Sequence, residues 1–287
     1  MKKDYQIAGH RIRLEGNETW INAAAALDGF KPFEVDVDGD PIAYFVWTDE
    51  DAPQQTEVQY ESGVDGIVDS FGRYVGGYMF VMTPPEGETL CFWKADGSNI
   101  FHFKGQLSPR LLRFALWIAY GVATLPLQTI AIHTSVIQYQ GKTVLFLGES
   151  GTGKSTHTRL WRENIEGASL LNDDSPILRV IDGQVWMFGS PWSGKTPCYK
   201  TESYPLAACV RLSQAPHNRI RRLNIPQGYA AIHPSCPPDF AYDDTLYDYI
   251  SETLSQVLGQ VPVYHLECLP DAAAAHLSCQ TVFGEQA

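Results

Sequence analysis

Two eight-residue stretches, GESGTGKS at 148 to 155 and GSPWSGKT at 189 to 196, carry the spacing G-x-x-x-x-G-K-[ST]. Glycines at that spacing let successive backbone N–H groups curl around an anion at the head of a helix. The lysine adds a point charge, and the final hydroxyl reaches a divalent cation. The chemistry is the holding of nucleotide phosphates. The two copies begin 41 residues apart and differ in context. The first follows the apolar run VLFL and leads into STHTRLWREN, which reads as a helix. Gly148, Glu149, Ser150, Gly151, Thr152, Gly153, Lys154, Ser155 and Thr156 are therefore the expected phosphate-binding residues. The second has Pro191, with no N–H to give, and Trp192 where donors are wanted; Pro197 and Pro205 argue against a long helix behind it. It reads as no second nucleotide site. Its Ser193, Gly194, Lys195 and Thr196 either reach a phosphoryl group or its acceptor, or belong to a plain connection between strands.

Acids stand where such a loop needs them. In SLLNDD an apolar strand delivers Asp173 and Asp174, 19 and 20 residues after Lys154. One strand-end aspartate can hold the shell of a Mg²⁺ ion, and another can take the proton of an incoming hydroxyl. The plainer alternative is an acidic turn before Pro176. His133 sits in AIHTSV, 21 residues before Lys154, and is expected inside a strand, where a histidine is more often a packed structural residue.

These residues must be positioned by regular elements. TIAIHTSVIQYQ reads as a strand, Gln140-Gly141 as a turn and KTVLFLG as the next strand. After the loop and its helix come SLLNDD, the hairpin PILRVIDGQVWMF turning at Asp182-Gly183, and the strand PLAACVRL. Hairpins flank the loop, with one clear helix between 128 and 225, so a doubly wound sheet is not expected. DDTLYDYISETLSQVLG reads as a helix striped by Leu246, Ile250, Leu254 and Val257 and capped by Gly259. VPVYHLECL reads as a strand, and Pro270 as the opening of a last helix. Arg219, Arg221 and Arg222 form a compact basic cluster, suited either to an acidic group or simply to solvent.

Residues 1 to 105 read as a β-rich domain with one short helix after Asn17 and no catalytic spacing, suited to an accessory or partner-contact role. Ser108-Pro109 opens a helix with an apolar face of Leu111, Leu112, Ala115, Ile118 and Val122. The expected boundary lies just before it, making 106–287 the second domain. The window 111 to 127 holds Arg113 and Pro126 and reads as a buried helix rather than a membrane span. At 44% hydrophobic residues, the 287-residue chain can fill a sizeable core. Its formal charge of -12 argues against nucleic acid as a partner, because a phosphate backbone needs a basic face. Six scattered cysteines and a start without an apolar run point to reduced thiols in the cytoplasm, with no signal peptide and no membrane.

The stretch IHTSVIQYQGKTVLFLGESGTGKSTHTRL…LLNDDSP resembles the core shared by bacterial HPr kinase/phosphorylase and ATP-dependent phosphoenolpyruvate carboxykinase. It is more closely similar to bacterial HPr-kinase-like proteins that share N-D-D and G-S-P-W-S-G-K. The resemblance implies a mixed, β-rich α/β phosphate-loop fold and an ATP-dependent phosphotransferase. The implied cofactor is Mg²⁺, or Mn²⁺ in its place, and the implied acceptor is a hydroxyl, a serine in a protein, in a peptide or free. It implies that Lys154 binds the β/γ-phosphates and that Ser155 holds the metal. Asp173 and Asp174 would divide metal binding and general-base duty, in either order, and His133 would stand beside the phosphates or ligate metal. Lys195 would steady transferred charge. Phosphorolysis or hydrolysis of phosphoserine at the same site, and nucleotide binding without turnover, are the alternatives.

Overall fold

The computed structural model describes residues 1–194 and 196–284. The chain divides into two compact units: Met1–Leu127 with Pro238–Tyr249, and Gln128–Pro237 with the chain from Ile250 onward. The protein is a mixed α/β, β-rich molecule with two sheets, each of nine strands among the described residues.

In the first unit, alternating apolar residues make β1 (Lys2–Ile7) and β2 (His10–Glu15), joined by a tight turn in which Ala8 and Gly9 both have positive φ. Helix α1 (Glu18–Ala25) starts at Asn17, whose side chain accepts from Trp20 N at 2.9 Å. Then come β3 (Glu34–Val35), β4 (Ala43–Trp47), β5 (Glu57–Val64), β6 (Ile67–Tyr74), β7 (Gly77–Thr83), β8 (Leu90–Ala95) and β9 (Ile100–Gly105). Their order is β3-β1-β2-β4-β9-β8-β7-β6-β5, antiparallel except for the β2–β4 and β4–β9 pairs. Helix α2 (Pro109–Thr124), capped by Ser108, packs on β7 and β8, with the Phe114 ring 5.8 Å from that of Phe80 and with Leu112, Ala115 and Ile118 buried.

This docking corrects the expected boundary before residue 106. An apolar stripe announces that a helix will be covered, but not by which sheet. By length and composition the segment Pro109–Leu127 is apolar enough to cross a membrane; 61% of its most apolar window is buried, as in a core helix. Residues 238–249 return to this unit, where Phe240 sets its ring edge-on to Phe71 at 5.2 Å and Asp243 accepts from Tyr78 Oη at 3.1 Å. The whole of the net charge resides here, with 22 acidic against 10 basic residues; the remainder of the chain carries 11 of each.

The second unit runs β10 (Thr129–Ala131), β11 (Thr134–Tyr139), β12 (Lys142–Leu147), α3 (Lys154–Asn164), β13 (Ser169–Asp174), β14 (Ile177–Ile181), β15 (Gln184–Phe188), β16 (Ser203–Gln214), β17 (Arg219–Arg222) and α4 (Ile225–Ile232). Helix α5 (Asp244–Gln260), whose residues up to Tyr249 belong to the first unit, β18 (Val263–Cys268) and α6 (Ala272–Phe283) follow. The order is β10-β14-β15-β16-β12-β11-β13, with β18 on β16 and β17 on β18. Strands β12, β16 and β18 are parallel and the rest antiparallel. The β11–β12 and β14–β15 hairpins turn at Gln140-Gly141 and Asp182-Gly183, all four with positive φ. One face of the sheet is covered by α3 and α6, with Phe146, Trp161, Val210 and Leu266 at the centre of the core.

Three local expectations change. The run 129 to 140 is two strands, broken at Ile132-His133, so His133 sits in a bend rather than mid-strand. Helix α5 continues through Gly259 to Gln260 instead of being capped there. Helix α6 is opened by Asp271, which accepts from Ala274 N at 2.9 Å, and not by Pro270.

Candidate nucleotide-phosphate site

The first Gly-Lys loop lies between the carboxyl end of β12 and the start of α3. Buried Val144, Leu145, Phe146 and Leu147 anchor the strand, and His157, Leu160 and Trp161 anchor the helix. Gly153 occupies the helix N-cap with φ 107°, a left-handed conformation that a side chain resists. It makes no side-chain cap, so the first-turn N–H groups of α3 remain free to meet an anion. At Gly148, also at positive φ, an added Cβ would stand 3.0 Å from the Thr152 side chain. Thr152 Oγ1 closes the curl by donating to Glu149 O at 2.6 Å.

Lys154 Nζ folds back over this loop and donates to Gly148 O at 2.7 Å. Burial lowers its pKa, while Asp174 and then Asp173 act to raise it. Its amine also lies 3.4 Å from His133 Nε2, and His133 Nδ1 lies 3.3 Å from Asp174 Oδ1. One neutral tautomer satisfies both contacts, with the proton on Nδ1 toward Asp174 and Nε2 accepting from the lysine. On the other side, Ser155 Oγ donates to Asp173 Oδ1 at 3.1 Å. The two aspartates thus face different partners from one strand end.

The register explains this placement. Strand β13 pairs with β11 so that Asp174 lies opposite Thr134 and Asp173 opposite Ser135. Ser135 Oγ in turn bonds Thr158 Oγ1 on α3 at 3.1 Å. Asp174 has φ 123°, a conformation that costs a non-glycine residue on the order of 1–3 kcal/mol. Surrounding hydrogen bonds hold it there. Buried Asn172 accepts from Ser175 N at 3.1 Å, and its amide donates to Ser190 Oγ, Trp192 O and Cys198 O at 3.2–3.3 Å.

The second Gly-Lys stretch is drawn into the same site, but as a support. No helix follows it among the described residues. Trp192 is buried, and Ser193 forms a bridge to Asp174. Ser193 Oγ and Gly194 N both donate to Asp173 O, at 3.2 and 2.7 Å. A Cβ at Gly194 would stand 3.2 Å from Asp174 Cβ, so glycine permits the close approach. Lys195 lies outside the described residues.

Gly148 to Ser155, Asp173, Asp174 and His133 are therefore assembled in one place, with Thr156 in the first turn of α3. The arginine cluster is not part of it. Arg219, Arg221 and Arg222 lie on β17, paired opposite Glu267, His265 and Tyr264 of β18. Three contributors escaped sequence reading. Asn172 is the hub described above; an amide within an apolar strand was its available signal. Arg211, opposite Leu147 in the parallel ladder, approaches Glu149 at 3.7 Å, and Gln214 donates to Gly151 O at 3.2 Å. Beside the loop lies a cavity of about 560 Å³, walled by Gly151–Gly153 and by Leu160, Leu212, Leu269 and Pro270.

No family model and no curated protein matches this chain. Among solved structures it is similar to one described as the Hpr(Ser) kinase/phosphatase from Coxiella burnetii, at 12% identity. That alignment covers 51% of this chain and 89% of the other, with a TM-score of 0.29. A score so low leaves both fold and activity to be argued from the geometry above.

Proposed function

We propose that this chain is an ATP-dependent kinase that phosphorylates a hydroxyl, that of a serine in a protein, in a peptide or free. The observation that carries the reading is the Ser155 Oγ to Asp173 Oδ1 contact of 3.1 Å at the head of an uncapped helix, behind a loop of positive-φ glycines. A hydroxyl and a carboxylate side by side at a phosphate cradle are the protein's share of a Mg²⁺–phosphate shell.

The donor chemistry fits Mg²⁺. Among the described residues no three His, Cys, Asp or Glu side chains cluster closely enough to cage a metal. Mg²⁺ usually keeps water and shares one or two protein oxygens with substrate phosphates. Ser155 and Asp173 supply those oxygens. His133 Nε2 instead faces the Lys154 ammonium, a poor setting for a second cation, so His133 is assigned to positioning. When bound, Mg²⁺ would neutralise charge on the phosphates.

In this reading the N–H groups of the loop and of α3 hold the phosphates. Lys154 Nζ exchanges the Gly148 carbonyl for a β/γ-phosphate oxygen. Asp174, oriented by His133 and by the bridge to Ser193, accepts the proton of the attacking hydroxyl. The new bond forms between that oxygen and the γ-phosphorus, and the bond to the ADP oxygen breaks. The adjoining cavity, with its leucine and proline walls, is of a size for the nucleoside.

Radiolabelled ATP offered in parallel to free serine, to serine peptides and to a protein lysate tests this. Label is expected on a hydroxyl acceptor. ATP binding with no transfer to any acceptor would replace the kinase with a nucleotide-binding regulator.

A further inference from the structure

The first unit holds a cavity of its own, about 540 Å³ in volume. Its floor and walls come from Tyr78, Lys94 and Phe101 of the sheet, the turn Asp96–Asn99, Val122 of α2 and Leu246 of α5. Two cations share its aromatic surface. Arg73 Cζ stands 4.2 Å above the Tyr78 ring, and Lys94 Nζ stands 5.8 Å from that ring and 5.9 Å from Phe101.

The two cations differ in their partners. Arg73 is neutralised by Asp96 at 2.8 Å and by Asp243 at 3.6 Å. Lys94 Nζ donates to the carbonyl of its neighbour Ala95 at 3.2 Å and has no carboxylate within ion-pairing distance among the described residues. It is half-buried, and burial lowers its pKa, with Asp96 opposing and Arg73 reinforcing the shift. A partly desolvated ammonium without a counterion is costly unless an anion joins it. This one occurs in a unit with 22 acidic and 10 basic residues, where a chance carboxylate partner was readily available.

We propose that this cavity binds a small organic monocarboxylate, with its carboxylate on Lys94 and its apolar body against Phe101, Val122 and Leu246. Charge limits the ligand. Lys94 is the cavity's cation without an ion pair among the described residues, and the Asp96 charge nearby repels a second negative charge, so a phosphate dianion is disfavoured. The apolar side of the cavity disfavours a fully polar anion. The site is separate from the phosphate loop and does not depend on the kinase reading.

Calorimetry on the full chain with indole-3-acetate, indole-3-acetamide and inorganic phosphate tests the proposal. The acetate is expected to bind at least about tenfold more tightly than its amide, as loss of a charge-assisted hydrogen bond requires, and more tightly than phosphate. Lys94→Met should lose that preference and Lys94→Arg should keep it. Ala123→Leu, which fills the cavity while leaving Lys94 in place, should weaken binding equally and covers the case in which the Lys94 variant misfolds. Amide shifts on binding should centre on Gly97 to Asn99. No binding by the wild type at millimolar concentration would overturn the site. So would equal affinity for acid and amide, tighter binding of phosphate, shifts centred elsewhere, or unchanged binding in both Lys94→Met and Ala123→Leu.

Discussion

The stretches 148–155 and 189–196 obey one spelling and meet opposite fates. The first leaves a strand and enters a helix whose N-terminus carries no side-chain cap. The second is turned inward. Trp192 is buried, Ser190 Oγ donates to Ser175 O, and Gly194 N is spent on Asp173 O. Gly194 N is fixed on Asp173 O within the bridge between Ser193 and Asp174, with no helix behind it to offer further donors among the described residues. The glycine-lysine spacing is only a precondition for holding an anion; the strand before it and the helix after it supply the rest. The two stretches still cooperate, because the second props the aspartates that face the first.

Four variants probe that division of labour, beginning with the largest effect. Asp174→Asn should bind ATP with affinity within about threefold of wild type while kcat falls roughly 1000-fold, the contribution of a general base. Normal turnover would remove Asp174 from the chemistry. Lys154→Ala should weaken ATP binding about 100-fold by calorimetry, through loss of a charge-assisted contact. Asn172→Ala severs the hub that ties β13 to the second stretch. It should lower unfolding free energy by about 2 kcal/mol in a denaturant titration and depress kcat more than ATP affinity. A silent Asn172→Ala would mean that Asp174 keeps its positive φ without that support. Lys195→Ala should change ATP affinity less than about twofold if the second stretch serves only as a support for the aspartates, as its contacts through Ser193 and Gly194 suggest. A loss equal to that of Lys154→Ala would erase the distinction between the two stretches.

Much of this could be read from the chain alone. GESGTGKS between an apolar run and a helix, the Asp pair ending SLLNDD, and Pro191 in the second match were each local facts. So were both hairpin turns and the Asn17 and Ser108 helix caps. His133 was singled out but placed mid-strand, because the break at Ile132-His133 leaves no mark in a run of β-branched residues. The assignment of α2 was missed for a similar reason. Its apolar face fits any sheet, and only contact with β7 and β8 says which one it covers.

Spacing along the chain was enough to mark a candidate phosphate cradle and the acids that the structure brings beside it, because those signals come from backbone conformations that few residues tolerate and from strands too short to hide their ends. It could not say that Asp173 would face Ser155 while Asp174 faced His133, or that Asn172 would bind a stretch about twenty residues further on. Those outcomes depend on strand register and on hydrogen bonds between distant segments. Such contacts form only once the sheet has closed, and the tertiary structure alone decided them.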